Sequence, residues 1–313
     1  TAAPLREQYI INPHPRPWTE GYQIEHAVLN NLKDVTVTIP KGVLTAVTGV
    51  AGSGKSSLVC HEFVARYPRT VVVDQKPIGT SSRSTPATYT GVMDEIRKLF
   101  AKANQVSVQW FSFNSKGACP VCKGKGEITP DVAFADPVTI RCEECGGRRY
   151  NPTALSYTYR EKTIEQVMGL TVEQALAFFE QTNIRTPLQS LQEVGLGYVT
   201  LGQPTSTLSG GEIQRLKLAS EMGKGQSDSV FVFDEPTIGL HPLDVQTLLS
   251  VFQTLILNGA TVIVIEHDLD VIRCADYIVD MGPGGGEEGG RIVAAGTPEE
   301  IKNAPQSVTG KYL

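Results

Sequence analysis

Continuous runs of apolar, largely β-branched residues punctuate this chain at Leu44–Thr48, Thr70–Val73, Val230–Phe233, Thr261–Ile265 and Tyr277–Asp280. Runs of this length and composition predict strands buried on both faces. Between them the apolar spacing changes to that of a helix, over Lys55–Tyr67, Glu212–Met222, Pro242–Asn258 and Asp268–Cys274. Strands alternating with helices predict an α/β fold with a mostly parallel sheet, which gathers ligands at the carboxyl ends of its strands. From Gly79 to about Thr163 that rhythm fails, giving way to turns, prolines, cysteine pairs and short alternating pieces such as Val138–Arg141. An inserted subdomain has this look. Helical spacing returns at Thr171–Gln181, where Thr171 and Gln174 have the spacing of a capping box. The expected organisation is a core in two parts, 1–78 and 208–313, around an insertion at 79–207. The glycine run Gly282–Gly290 follows a strand but opens no helix, so it reads as a turn and not as a phosphate loop.

Composition narrows the class. Hydrophobic residues at 41% and charged residues at 19% belong to a globular chain and exclude a disordered one. No apolar run approaches the ~20 residues of a membrane span, and Thr1–Pro17 is polar and proline-rich, unlike a signal peptide. A cytoplasmic protein with no membrane partner is expected. The chain begins at Thr1 rather than Met, as a trimmed or excised piece does. Net charge is −5, yet Lys76–Lys162 holds 13 Lys and Arg against 8 Asp and Glu, so one basic segment sits in an acidic protein.

Three motifs suggest nucleotide chemistry. Gly49-Val-Ala-Gly52-Ser53-Gly54-Lys55-Ser56, followed by Ser57, is a complete phosphate-loop pattern between a strand and a helix. Its glycines let backbone N–H groups converge on phosphate oxygens, with the helix N-terminus adding partial positive charge. Lys55 would reach the β- and γ-phosphates and Ser56 would offer a hydroxyl to Mg²⁺. The strand Val230–Phe233 runs into Asp234 and Glu235. Asp234 can hold the metal and Glu235 can polarise an attacking water, although two solvated acids capping a strand would look the same. Leu208-Ser209-Gly210-Gly211-Glu212 opens a helix with a hydroxyl and free amides, groups suited to an anion.

A different chemistry appears in the insertion. Cys119-Pro-Val-Cys122 and Cys142-Glu-Glu-Cys145 are two C-x-x-C pairs, each followed by a glycine-bearing turn. Their spacing suits a closed tetrahedral thiolate site for one structural Zn²⁺, within a module at about 115–150; redox C-x-x-C pairs are the rival reading. Cys60 and Cys274 stand singly among apolar neighbours and are expected to be small buried hydrophobes.

The phosphate loop, the paired acids and the Ser-Gly-Gly segment together resemble the ATP-binding cassette (ABC) ATPases, and the last matches their signature motif. That resemblance implies an ABC cassette fold, a phosphate-loop core with a mostly parallel sheet and flanking helices, carrying the inserted zinc-binding subdomain and a helical signature region. It also implies Gln75 as the Q-loop glutamine and His267 as the switch histidine that meets the γ-phosphate. With the cysteine module, the chain resembles the C-terminal half of the UvrA family, the damage-recognition ATPases of bacterial nucleotide excision repair. Matching stretches include Arg83-Ser-Thr-Pro-Ala-Thr-Tyr-Thr-Gly91, Phe111-Ser-Phe-Asn114, Val194-Gly-Leu-Gly-Tyr198, Asp234-Glu-Pro-Thr-Ile-Gly-Leu-His241 and Thr309-Gly-Lys-Tyr-Leu313. The chain departs from the family at Thr80, where an Arg is usual, and in the linker Glu127–Pro137, which lacks the usual aromatic Leu-Pro-rich hairpin. That linker looks closer to shorter UvrA paralogues, some associated with resistance to DNA-binding antibiotics. Only about twenty residues separate the phosphate loop from Gln75, so the UvrB-binding insertion has no place here.

The resemblance implies ATP hydrolysis, double-stranded DNA, damaged or drug-bound, as a partner, and a second cassette, either another copy or a missing N-terminal half. The signature segment would complete the site of that facing cassette. The DNA contacts expected are Arg83, Lys116, Lys123, Lys125, Arg148 and Arg149. A resistance or regulatory ATPase acting on a protein or a drug–DNA complex, and a transporter's ATPase subunit, are the other readings.

Overall fold

The computed structural model describes residues 11–79, 83–129, 139–222 and 228–313. Thr80 and most of the divergent linker, residues 130–137, lie outside them. The chain divides into two compact units, 1–75 with 224–313, and 76–223.

The first unit is built on a sheet whose strands, in order, are β12 (Arg291–Gly296), β11 (Tyr277–Gly282), β3 (Leu44–Gly49), β10 (Thr261–Ile265), β9 (Val230–Asp234) and β4 (Val71–Val73). All neighbours are parallel except the β11–β12 pair, which is antiparallel and forms one edge. β3, β9 and β10 are buried almost end to end, which is why they read as unbroken apolar runs. The helix Pro242–Leu257 packs on β10 and β3, with the Phe252 ring 4.7 Å from that of Phe233. A helix over Ser57–Phe63, continued by Val64–Arg66, follows β3.

An antiparallel hairpin, β1 (Gly21–Ala27) and β2 (Val35–Pro40), covers this core with Ile24, Val37 and Ile39, which cluster with Val47, Phe63 and Ile263. The pattern hides β1, whereas Val35, Val37 and Ile39 of β2 alternate cleanly with Thr36 and Thr38. A register shift between Ile24 and Ala27, with His26 in the left-handed region, breaks the alternation that would have revealed β1.

The second unit is mainly helical: Val92–Asn104, Pro152–Leu155, Ile164–Met168, Val172–Phe178, Thr182–Glu193 and Gly210–Met222. Two small ladders accompany them, β5 (Glu127–Ile128) with β6 (Ile140–Arg141) and β7 (Thr158–Tyr159) with β8 (Lys162–Thr163). The Thr171 capping box is present: Gln174 N–H donates to the Thr171 hydroxyl at 3.2 Å, and Thr171 N–H donates to Gln174 Oε1 at 3.0 Å. Thr182–Glu193 went unread because Pro187 interrupts it. The observed division differs from the one expected at 207/208. The signature helix Gly210–Met222 packs on Thr182–Glu193 and belongs to the inserted unit.

Among the described residues, no helix is long and apolar enough to cross a membrane.

Candidate functional sites: a strand-end cluster and a cysteine cluster

Five parallel strands of the first unit end on one side of the sheet, within a few residues of one another, and each delivers a chemically distinct segment there. Register sets these ends: Ile265 of β10 lies beside Asp234 of β9 and Val47 of β3, Gly49 of β3 lies beside Met281 of β11, and Val73 of β4 lies beside Phe233. Just beyond these ends come the phosphate-loop sequence, Gln75, Glu235, His267 and the glycine run.

The loop after β3 keeps Gly49, Gly52 and Gly54 at positive φ. A Cβ at Gly49 would stand 2.1 Å from the Met281 carbonyl oxygen, so the turn out of β3 admits glycine only. Lys55 is buried, and its ammonium donates to the carbonyls of Gly49 at 3.0 Å and Val50 at 3.1 Å. Burial pulls its pKa down, while Glu235, Asp234 and Asp280 oppose that shift. Three acids thus lie in the electrostatic neighbourhood of one cation. Ser53 is buried, and its hydroxyl has no hydrogen-bond partner among the described residues. Ser56 is exposed, and Ser57 accepts from the Asn30 amide at 3.0 Å.

Glu235 sits in the left-handed region at φ 47°. Its N–H is pinned to the Ile265 carbonyl at 3.0 Å, and its own carbonyl accepts from Gln75 Nε2 at 3.2 Å. His267 Nε2 lies 3.5 Å from Glu235 Oε1. The structure therefore brings Lys55, Asp234, Glu235, Gln75 and His267 into one neighbourhood.

Glu266 has no role in the sequence reading. It is fully buried, and its carboxylate accepts from three backbone N–H groups: Thr237 at 2.9 Å, His267 at 2.8 Å and Asp268 at 3.0 Å. One side chain thus ties the segment after β9 to the segment after β10. An acid acting on main-chain amides leaves no motif, so only its burial could have marked it.

The signature segment belongs to the second unit. Ser209 N–H and its hydroxyl donate to Glu212 Oε2 at 2.7 and 2.9 Å, and Glu212 N–H donates back to the hydroxyl at 3.3 Å. Tyr198 donates to the other carboxylate oxygen at 2.6 Å. Burial raises the Glu212 pKa, but bonds from Tyr198 and Ser209 outweigh it and leave the carboxyl below its ordinary range. Ser209 is exposed, Gly210 half-buried and Gly211 buried.

The four cysteines of the second unit converge. Their sulfurs all lie within 4.8 Å of one another and are buried, with Cys119 to Cys142 at 4.0 Å and Cys122 to Cys145 at 3.7 Å. Four thiolates at the usual ~2.3 Å around a tetrahedral Zn²⁺ would stand about 3.8 Å apart, so the donor set fits that ion. Two similar turns frame it, with Lys123, Gly124, Gly146 and Gly147 all at positive φ, and the Gly126 N–H donates to Cys122 Sγ at 3.2 Å. Burial pushes the Cys145 thiol up to about 12, whereas at Cys122 burial is outweighed by hydrogen bonds, that from the Gly126 N–H foremost, which bring its pKa down. Cys60 and Cys274, expected to be buried, are only half-buried.

The six basic residues differ in what they touch. Lys116, Lys123, Lys125 and Arg148 are exposed, while Arg83 and Arg149 are half-buried. Arg83 donates to the Lys123 carbonyl at 2.6 Å, Arg148 Nε to the Cys145 carbonyl at 2.9 Å, and Arg149 lies 5.6 Å from the Phe113 ring centroid. Lys116 covers Trp110 at 4.5 Å. Part of this charge therefore braces the cysteine module.

Residues 32–238, more than half of the chain, match the family model described as ABC transporter. The chain belongs to the ATP-binding cassette family. Within the family its close relatives are UvrA proteins. The cassette is 48% identical to the UvrABC system protein A of Bacillus subtilis (strain 168), covering 98% of this chain and 36% of that one. It is 46% identical to the UvrABC system protein A of Aquifex aeolicus (strain VF5), over 95% of this chain and 36% of the relative. The cassette thus spans about a third of the length of these curated relatives. The crystal structure of UvrA2 from Deinococcus radiodurans superposes with a TM-score of 0.92 at 42% identity, over 99% of this chain and 41% of that one. A nucleotide-free ATP-binding cassette from an ABC transporter matches with a TM-score of 0.50 at 16% identity, over 93% of this chain and 98% of that one, a likeness of fold alone.

Glu266 gives a test of how the cluster is held. Glu266→Ala leaves three inward-facing N–H groups without their acceptor, which should lower the free energy of unfolding by roughly 3 kcal/mol. Urea denaturation measures it, and a loss below about 1 kcal/mol would show that the carboxylate is not the tie described.

Proposed function

We propose that this chain is the nucleotide-hydrolysing, DNA-engaging cassette of a UvrA-type excision-repair protein, working with a second cassette. The observation that carries the reading is the meeting of Lys55, Asp234, Glu235, Gln75 and His267 at the ends of adjacent strands. The phosphate loop, Gly49, Gly52, Ser53, Gly54, Lys55, Ser56 and Ser57, would hold the triphosphate. Lys55 would exchange its two carbonyl partners for phosphate oxygens. Ser56 and Asp234 would hold Mg²⁺, which supplies charge neutralisation on the phosphates.

Glu235 is the acid placed to polarise the attacking water, with Gln75 fixing its backbone and His267 beside its carboxylate. Ser209, Gly210 and Gly211 carry the hydroxyl and helix N-terminus that would complete the site of a facing cassette. That cassette is a second copy or another part of a longer chain. The ordered Glu212 carboxylate and Tyr198 hydroxyl hold the signature serine in place for that role. Cys119, Cys122, Cys142 and Cys145 would bind one structural Zn²⁺, their four sulfurs leaving no open coordination position. Damaged double-stranded DNA is the proposed partner, met by the basic segment around that module. The linker also raised a resistance reading; the relatives bear the name of the UvrABC system, and repair is the reading kept.

Steady-state turnover and ATP binding test the reading directly. Glu235→Gln should keep ATP affinity and lose turnover by roughly 10²–10⁴-fold, the usual worth of general-base assistance, whereas Lys55→Ala should lose ATP binding itself. Near-normal turnover in the Glu235→Gln protein would remove Glu235 from the role.

Elemental analysis of protein purified under reducing conditions should find one zinc per chain, falling to none when Cys119 and Cys142 are both replaced by Ser. A chain without metal that keeps its fold would refute the site.

Affinity for duplex DNA should fall steeply as salt rises, because each neutralised phosphate releases counterions. Replacing the exposed Lys116, Lys123 and Lys125 by Gln should shallow the log–log salt slope by roughly 2–3, about 0.9 per contact. An unchanged slope would place the DNA surface elsewhere.

A further inference from the structure

A loop that binds phosphate through its N–H groups has a problem on its other side. Its carbonyls must point away from the anion and still find donors. In this cassette the glycine run after β11, which reads from sequence as a simple turn, lies against the back of the phosphate loop. Gly286 N–H donates to the Gly52 carbonyl at 3.0 Å, and Gly290 N–H donates to the Ser53 carbonyl at 2.9 Å. The Asn31 amide joins the two segments, donating to the Gly52 carbonyl at 2.9 Å and to the Gly286 carbonyl at 3.2 Å. Lys33 N–H donates to the Gly290 carbonyl at 2.8 Å, and the Lys33 ammonium donates to the Glu287 carbonyl.

The fit is close enough to exclude side chains. A Cβ on Gly285 would stand 2.4 Å from the Ala51 carbonyl oxygen, and one on Gly289 would stand 3.0 Å from Ser53 Cα. Gly285 itself has extended backbone (φ −102°, ψ 167°) that any residue can adopt. Glycine is therefore required there by the closeness of the phosphate loop and not by its own conformation.

We infer that Gly285, Gly286, Gly290 and Asn31 are positioning residues for the phosphate loop, holding its carbonyls from behind so that its N–H groups face a nucleotide. The inference rests on the nucleotide reading above and deepens it. The back of the loop is thus supplied by two remote segments, the turn before β2 and the turn after β11. Their hydrogen bonds set the loop's shape before any ligand arrives. From within, the Lys55 ammonium donates to the carbonyls of Gly49 and Val50, and the Ser53 N–H donates to that of Val50.

Titration calorimetry with Mg²⁺–ATP, on the full chain well below its melting temperature, tests this. Gly285→Ala should weaken ATP affinity at least tenfold, because the new methyl displaces the Ala51 carbonyl. Asn31→Ala should weaken it at least threefold, through the loss of two donors on an exposed face. Gly42→Ala serves as the control. Gly42 also has positive φ, at 70°, but its Cβ would meet nothing within 4 Å. That variant should melt earlier and bind ATP within twofold of the parent. Should Gly285→Ala fail to fold, Asn31→Ala decides alone. Parent-like affinity in the folded variants overturns the inference while leaving the nucleotide reading intact. A parent chain that binds no ATP, with Lys55→Ala no different, overturns the nucleotide reading itself.

Discussion

Everything chemical in the first unit depends on parallel register. β4, β9, β10, β3 and β11 are paired so that their carboxyl ends share one side of the sheet, with β3 and β11 running a little further than the rest. Loops leaving adjacent strands at one level start about 4.8 Å apart, a spacing that side chains span without reaching. A slip of one residue in β9 would turn Asp234 to the opposite face and carry Glu235 away from Gln75 and His267. Buried apolar side chains on both faces prevent that slip, so packing far from the polar groups sets where those groups stand.

On this frame the polar cluster is held mainly by main-chain hydrogen bonds. Gln75 grips the Glu235 carbonyl, Ile265 grips its N–H, and Glu266 gathers three amides from two loops. Side chains with chemical roles in the proposal therefore rest on backbone that others have fixed. The second unit repeats the principle. Glu212 fixes Ser209, and the turns after each cysteine pair direct N–H groups toward sulfur or carbonyl.

What was legible in the sequence follows from these physics. Strands buried on both faces are continuous apolar runs, so β3, β9, β10 and β11 could be read within a residue or two. Motifs requiring particular side chains at fixed spacing, such as the phosphate loop and the cysteine pairs, were equally plain. The first strand of the β1–β2 hairpin was not, because a bulge at His26 breaks its alternation, although β2 alternates cleanly. The roles of Glu266 and Asn31 were hidden for another reason: their partners are backbone groups brought together by the fold. The glycine run showed its composition but not its purpose, since steric exclusion by a neighbour more than two hundred residues away leaves no local trace.

The second unit leaves the first immediately after Gln75 and returns before β9. Both ends of that excursion attach to neighbouring strands, since β4 and β9 pair directly. The sheet's register is consequently indifferent to how long the excursion is or what it contains. Such an arrangement is a modular socket: the pairing of β4 with β9 places no limit on the length of chain carried between them.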